Sequence, residues 1–192
     1  MTPVIDDLER VVHQGSAAMD AFFAENSFPL AEGTKVTFVF RGRADAVHLR
    51  HWIYGLPSSM PFMRVASSDV WRLTIDLPER SRVEYKLEVI SNGEHQLIRD
   101  PLNPLLARDP FGANSVCHSS GYETPDWTLP DPEARPGRLR RLVLHSEALQ
   151  QTERIQVYVP ARFRRRRQYP LLIVHDGTDY LRYASLQTVL DN

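Results

Sequence analysis

A single cysteine, Cys117, leaves this 192-residue chain unable to form an internal disulfide and argues against a cysteine-based metal site. An excess of one charge is lacking as well: 23 Lys and Arg stand against 24 Asp and Glu, for a net charge of -1. Proteins that hold nucleic acid or an anionic membrane by charge carry a clear basic excess, so neither partner is indicated. No apolar run approaches the roughly 20 residues that span a bilayer. The N-terminus, MTPVIDDLER, is acidic and polar where a secretory leader is basic and then apolar. A reducing cytoplasm is the expected setting. No internal repeat or low-complexity tract stands out.

Glycine is sparse too, and its positions exclude several reactions. The nine glycines lie at 15, 33, 42, 55, 93, 112, 121, 137 and 177. No two are four apart, so the G-x-S-x-G elbow that presents the serine of an α/β-hydrolase is absent. The same positions exclude G-x-G-x-x-G and the phosphate-loop pattern. His48 and His51, three apart in an expected strand, face opposite sides and cannot chelate one ion. No cofactor is expected.

What the chain does contain is patterned apolar sequence. Thr2-Pro3 reads as an N-cap followed by proline at the first helical position, and residues 3–24 read as helix. Val4, Leu8, Val11, Val12, Met19, Phe22 and Phe23 form its apolar face, with Gly15-Ser16 a candidate break. Such a helix is marginal alone in water and is expected to dock on the segment C-terminal to it.

From Gly33 the period becomes two. Val36, Phe38 and Phe40 share one strand face, with Thr37 and Val39 opposite; AVHLRHW is a second strand. Trp71, Leu73, Ile75 and Leu77 mark a third, and Val83, Tyr85, Leu87 and Val89 a fourth. Asn92-Gly93 then turns the chain into His95-Gln96-Leu97-Ile98, a strong hairpin signal. Short alternating strands in this number point to a β-sandwich of immunoglobulin-like size, with no cysteine pair to pin it.

Residues 121–137 carry four prolines and two glycines and read as an extended linker, docked in part through Trp127. RLRRLVLHS and RIQVYVP then pair as a hairpin joined by Glu147 to Glu153. Arg164–Arg167 reads as a solvated basic loop, too short for nucleic acid in a neutral chain. Leu171-Leu172-Ile173-Val174-His175 reads as a buried parallel strand that opens into Asp176-Gly177, with a helix starting near Tyr180. The neighbours such a strand needs are expected beyond residue 192.

Ester hydrolysis builds negative charge on a carbonyl oxygen, and backbone N–H groups aimed at that point stabilise it. The loop His175-Asp176-Gly177-Thr178-Asp179 is placed to supply such donors, with Gly177 and Thr178 acting through backbone and His175 a pocket wall. A plain turn is the competing reading. Trp52 and Trp71 are weak candidates for a sugar-stacking platform; the register of Trp71 with Leu73 and Ile75 favours core packing.

RDPLNPLLARDPFGANSV, preceded by a strand ending YKLEVI, resembles the N-terminal early-set domains of enterochelin (ferric-siderophore) esterases. It is also similar to the glycogen-binding-like modules at the front of glycogen branching enzymes. IQVYVPARF and YPLLIVHDGTDYLRYASLQTVLDN resemble the opening of the esterase-D-type α/β-hydrolase domain. The implied fold is mainly β. Residues 1–30 form a helical segment, 31–120 an early-set β-sandwich, 121–137 a Pro-rich linker, and 138–192 the first strands of an incomplete α/β-hydrolase domain.

The resemblance implies a serine esterase for the full-length protein, acting on a small-molecule ester of the catecholate-siderophore class. Its catalytic serine, acid and histidine have no matching positions here, so the 192-residue chain is expected to be inactive alone. The alternative is a glucan-binding β-module without catalysis. A third reading is a structural or dimerisation module built on the N-terminal helix and unpaired strand edges.

Overall fold

The computed structural model describes residues 4–192. The cap expected at Thr2-Pro3 lies outside the described residues. The chain divides into two compact units at Glu123/Thr124.

In the first unit the expected helix is two helices, α1 (Val4–Gln14) and α2 (Ser16–Glu25). They part at Gly15, whose φ of 100 is open to glycine at little cost. Ten strands follow: β1 (Leu30–Glu32), β2 (Lys35–Arg41), β3 (Ala46–His51), β4 (Ser59–Pro61), β5 (Met63–Arg64), β6 (Val70–Asp76), β7 (Arg82–Ser91), β8 (Glu94–Ile98), β9 (Leu106–Asp109) and β10 (Gly112–His118). They make two antiparallel sheets, one ordered β1-β2-β6-β5 and the other β4-β3-β7-β10-β9, with β8 also on β7.

The period-two pattern places the core. Val36, Phe38, Phe40, Trp71 and Ile75 of the first sheet meet Val47, Leu49, Tyr85, Leu87 and Cys117 of the second. Phe38 and Tyr85 bridge the sheets with centroids 4.8 Å apart, edge to face. β2 is buried on both faces: its odd-numbered Val39 joins a second cluster with Leu8, Met19, Phe22 and Val70. The helices therefore dock on the outer face of the first sheet, and Arg72–Glu9 and Arg41–Asp20 ion pairs tie them to it. At the β7–β8 turn, Asn92 and Gly93 have φ of 52 and 78, as a type I′ turn requires.

The second unit holds a 3₁₀ turn (Asp126–Thr128), a nine-residue hairpin of β11 (Arg138–Ser146) and β12 (Gln151–Val159), and helices α3 (Gly177–Tyr183) and α4 (Leu186–Asp191). The hairpin is tighter than expected, with Gln151, Thr152 and Glu153 paired in register rather than in the turn. Trp127 docks through its carbonyl, which accepts from the Asn192 side chain at 2.9 Å; the residue is 60% exposed rather than packed.

The largest correction falls on Leu171–His175. No strand forms there, and Leu171, Leu172 and Ile173 are 84%, 67% and 73% exposed. A parallel strand draws its ladder from neighbours, and β11 and β12 bond only to each other. Among the described residues, no strand pairs with this run.

Candidate functional site

The turn at His175–Asp179 is held by backbone geometry. Asp176 sits in the left-handed region (φ 53, ψ 30), and its carbonyl accepts the N–H groups of Asp179 at 2.8 Å and Tyr180 at 3.2 Å. That closes the first turn of α3. The opening amides of a helix, here Gly177 and Thr178, have no intrahelical carbonyl to bond. Two adjacent N–H groups at the positive end of a peptide array can donate to a developing oxyanion. A Cβ at Gly177 would meet nothing within 4 Å. His175, Asp176 and Thr178 are exposed, and Asp179 is half-buried.

The other sequence candidates separate. Trp71 is 7% exposed, its indole N–H donating to the Gly42 carbonyl at 3.2 Å, so its ring belongs to the core. Trp52 is 80% exposed, and Tyr54 beside it is fully exposed. Their loop is anchored from below. His51, buried on the inner face, accepts the Ile53 N–H at Nδ1, 3.0 Å away. His48 points to the outer face, as the strand period requires.

One trio outside the turn joins a serine, a histidine and a carboxylate. His48 Nδ1 lies 3.3 Å from Ser59 Oγ and 3.7 Å from Glu88 Oε2. In a hydrolytic triad the serine and the acid address opposite ring nitrogens. Here both address Nδ1, and Glu88 also pairs with His95 at 3.0 Å and Arg50 at 3.4 Å. The His95 hydrogen bond, with Arg50 behind it, holds the Glu88 carboxyl below its ordinary range. This is a cross-strand charge cluster and not a nucleophile.

The most constrained polar group is one to which sequence reading gives no role. Asp100 and Asn103 each precede a proline, and each caps a local turn: Asp100 Oδ1 accepts Leu102 N–H and Asn103 Oδ1 accepts Leu105 N–H, both at 2.9 Å. Tyr85 donates to Asp100 Oδ2 at 2.6 Å, and Asn103 Nδ2 donates to Tyr85 Oη at 3.0 Å and the Val116 carbonyl at 2.8 Å. The Asp100 N–H donates to Ser115 Oγ at 2.8 Å. Burial pushes the Asp100 carboxyl and the Tyr85 hydroxyl upward, and the Cys117 thiol beside them to about 12. With its groups satisfied, the network locks the RDPLNP corner onto the sandwich. The two Asx-Pro steps in that corner are the sequence signal for it.

No family model and no curated protein matches the chain. Solved structures do. The Shigella flexneri enterobactin esterase, determined in the presence of enterobactin, aligns with 90% of this chain at a TM-score of 0.59 and 20% identity. The ferric enterobactin esterase of Salmonella typhimurium aligns with 82% at 0.58 and 21% identity. A second Shigella flexneri structure, with 2,3-dihydroxy-N-benzoyl-serine present, aligns with 82% at 0.53 and 21% identity. The chain spans about half the length of these esterases, 53%, 49% and 47% respectively. Its fold is thus similar to that of about half of an enterobactin esterase chain.

Proposed function

We propose that this chain is the N-terminal part of a serine carboxylic-ester hydrolase of the enterobactin-esterase type. The observation that carries the reading is the fold likeness, which runs through 90% of the chain and so includes both units. In this reading the nucleophile, acid and histidine lie outside the 192 residues, and the chain alone does not turn over esters. Its contribution to the reaction is the α3 N-terminus, where the Gly177 and Thr178 amides meet the oxyanion as the ester carbonyl becomes tetrahedral. The substrate class we assign is a catecholate siderophore ester, by extension from the enterobactin present with the Shigella flexneri enzyme. A cytoplasmic setting goes with that role, because iron is released where it is used.

The test compares the 192-residue chain with a version extended through the rest of its reading frame, on a p-nitrophenyl ester and on enterobactin. Turnover by the extended protein alone is expected. Robust turnover by the short chain would overturn this account of the site. In the extended protein, Thr178→Pro removes one amide where the first helical turn tolerates proline, and kcat is expected to fall by about 10²–10³.

A further inference from the structure

The balanced charge of the whole chain hides an imbalance between the units. Residues 124–192 hold eleven arginines, no lysine and eight acids, whereas residues 1–123 hold sixteen acids against twelve cations. Part of that basic excess converges on one cleft. At the open end of the β11–β12 hairpin, a cleft of about 320 Å³ is lined by Arg138, Arg140 and Arg165, with Phe163 and Gly137 in its wall. Arg138 and Arg140 stand two apart on β11 and so share a face. None of the three forms an ion pair among the described residues. The neighbouring carboxylate, Asp191, accepts the Gly137 N–H at 2.7 Å and the Tyr158 hydroxyl at 2.8 Å, both on Oδ1, and forms no ion pair with the three arginines.

The wall is flat and braced. Phe163 stacks on Tyr169 with centroids 4.9 Å apart and planes 27° from parallel, and Arg167 lies over Tyr169 at 5.7 Å. The Tyr169 hydroxyl accepts the Arg164 N–H at 3.0 Å, which pins the loop to its own stack. Guanidinium groups are planar forks that match a carboxylate, and an aromatic face takes a ring. The volume is at the small end for ligand clefts and is enough for one ring and its acid group.

We propose that this cleft binds a small aromatic carboxylate, its acid on Arg138, Arg140 and Arg165 and its ring against Phe163. This rests on the esterase reading only for its source: hydrolysis of an aryl-substituted ester leaves a free acid of this class, so the cleft would hold product.

The experiment titrates the 192-residue chain with 2,3-dihydroxy-N-benzoyl-serine, the aromatic acid present with a Shigella flexneri esterase, by calorimetry and by amide chemical shifts, with no turnover involved. Saturable binding is expected, with shifts at Gly137 and Phe163, weakening as salt is raised. Catechol lacks the acid and acetate lacks the ring; each should bind at least about tenfold more weakly. The double variant Arg138→Gln/Arg140→Gln should lose at least about tenfold in affinity, while Arg182→Gln, outside the cleft, should not change it. Equal binding of catechol and the acid would overturn the proposal, and that comparison needs only the wild type should the double variant fail to fold. Tighter binding of inorganic phosphate or of a single-stranded oligonucleotide would overturn it too. Binding without ester turnover in the extended protein sinks the esterase reading alone; turnover without binding sinks this one alone.

Discussion

The two units of this chain are held by different forces. In residues 1–123 two apolar clusters run through the sandwich and under its helices, and the buried polar groups of the Tyr85–Asp100–Asn103 corner are bonded to one another. Residues 124–192 contain no fully buried side chain. They are held by the β11–β12 ladder and a few bonds at its ends, chiefly Tyr158 to the Leu190 carbonyl at 2.8 Å and Asn192 to the Leu129 carbonyl at 2.7 Å. Leu142, Val143, Ile155, Leu171, Leu172 and Ile173 meanwhile remain exposed. The difference teaches that apolar content does not by itself make a core. A core needs two faces that can reach each other, and only the first unit has them.

The strongest way to break this comparison is to delete the same side chain in each unit. Leu49→Ala, at a fully buried site between the sheets, should cost about 2–5 kcal/mol. Leu172→Ala should stay within about 0.5 kcal/mol. Urea unfolding followed by circular dichroism measures both. A comparable loss at Leu172 would mean that the exposed run is packed after all.

Next in size is the polar corner. Tyr85→Phe leaves Asp100 Oδ2 buried without its donor and strips Asn103 of one acceptor. The expected cost is about 1–3 kcal/mol, because an unpaired buried group loses its hydration and gains nothing. A neutral result would show that water already reaches Asp100.

Much of the first unit was legible in the sequence because its strands alternate strictly between a core face and an outer face, even though β2 and β3 pair with strands far along the chain. Val36 to Phe40 pairs with Trp71 to Ile75, Tyr85 to Val89 with Val47 to His51, and Asn92-Gly93 fixes one register outright. β10 was illegible: its inward Ser115 and Cys117 are small, so no apolar period announces it, and it is recruited by Asp100 and Asn103. Leu171–Val174 failed in the opposite way. Its composition suits a buried strand, but composition cannot supply the ladder partner. Of the candidate site, the Asp-Gly turn was legible from its polar break. The arginine cleft was not, because alternate positions on β11 meet Arg165 only once the hairpin closes.

Acid should separate the units as well. In the first, burial lowers His51, and burial together with the Arg82 cation lowers His118. Both prefer the neutral form when folded, while the unfolded chain takes up their protons near the ordinary value of 6.5. Their contribution is therefore complete above that pH and is lost as pH falls below it. Glu88, held low by His95, acts in a lower window, since its contribution is present above 4.5 and lost as pH falls through its depressed folded value. Urea midpoints should drop between about pH 7.5 and about pH 5.5, and His51→Gln should flatten that slope. An unchanged slope would place the titration elsewhere.

The smallest effect is expected from repeating the tyrosine substitution in the second unit. Tyr158 donates to the Leu190 carbonyl and to Asp191 at 2.8 Å each, and burial with the Asp191 bond pushes its hydroxyl up to about 12. Both acceptors sit near solvent in a unit without a buried side chain, so water can replace the lost donor. Tyr158→Phe should therefore cost about 0.5–1 kcal/mol, below the Tyr85→Phe loss. Its signature should be local: faster amide exchange at Gly137 and along α4, with the sandwich amides unmoved. A Cβ added at Gly137 would fall 2.4 Å from the Tyr158 ring, so a side chain there must displace it. Gly137→Ala should then produce the same local loosening by displacing the ring with its hydroxyl intact. If either substitution also loosened the sandwich, the units would be coupled, and the contrast between a core-held and a ladder-held half would not stand.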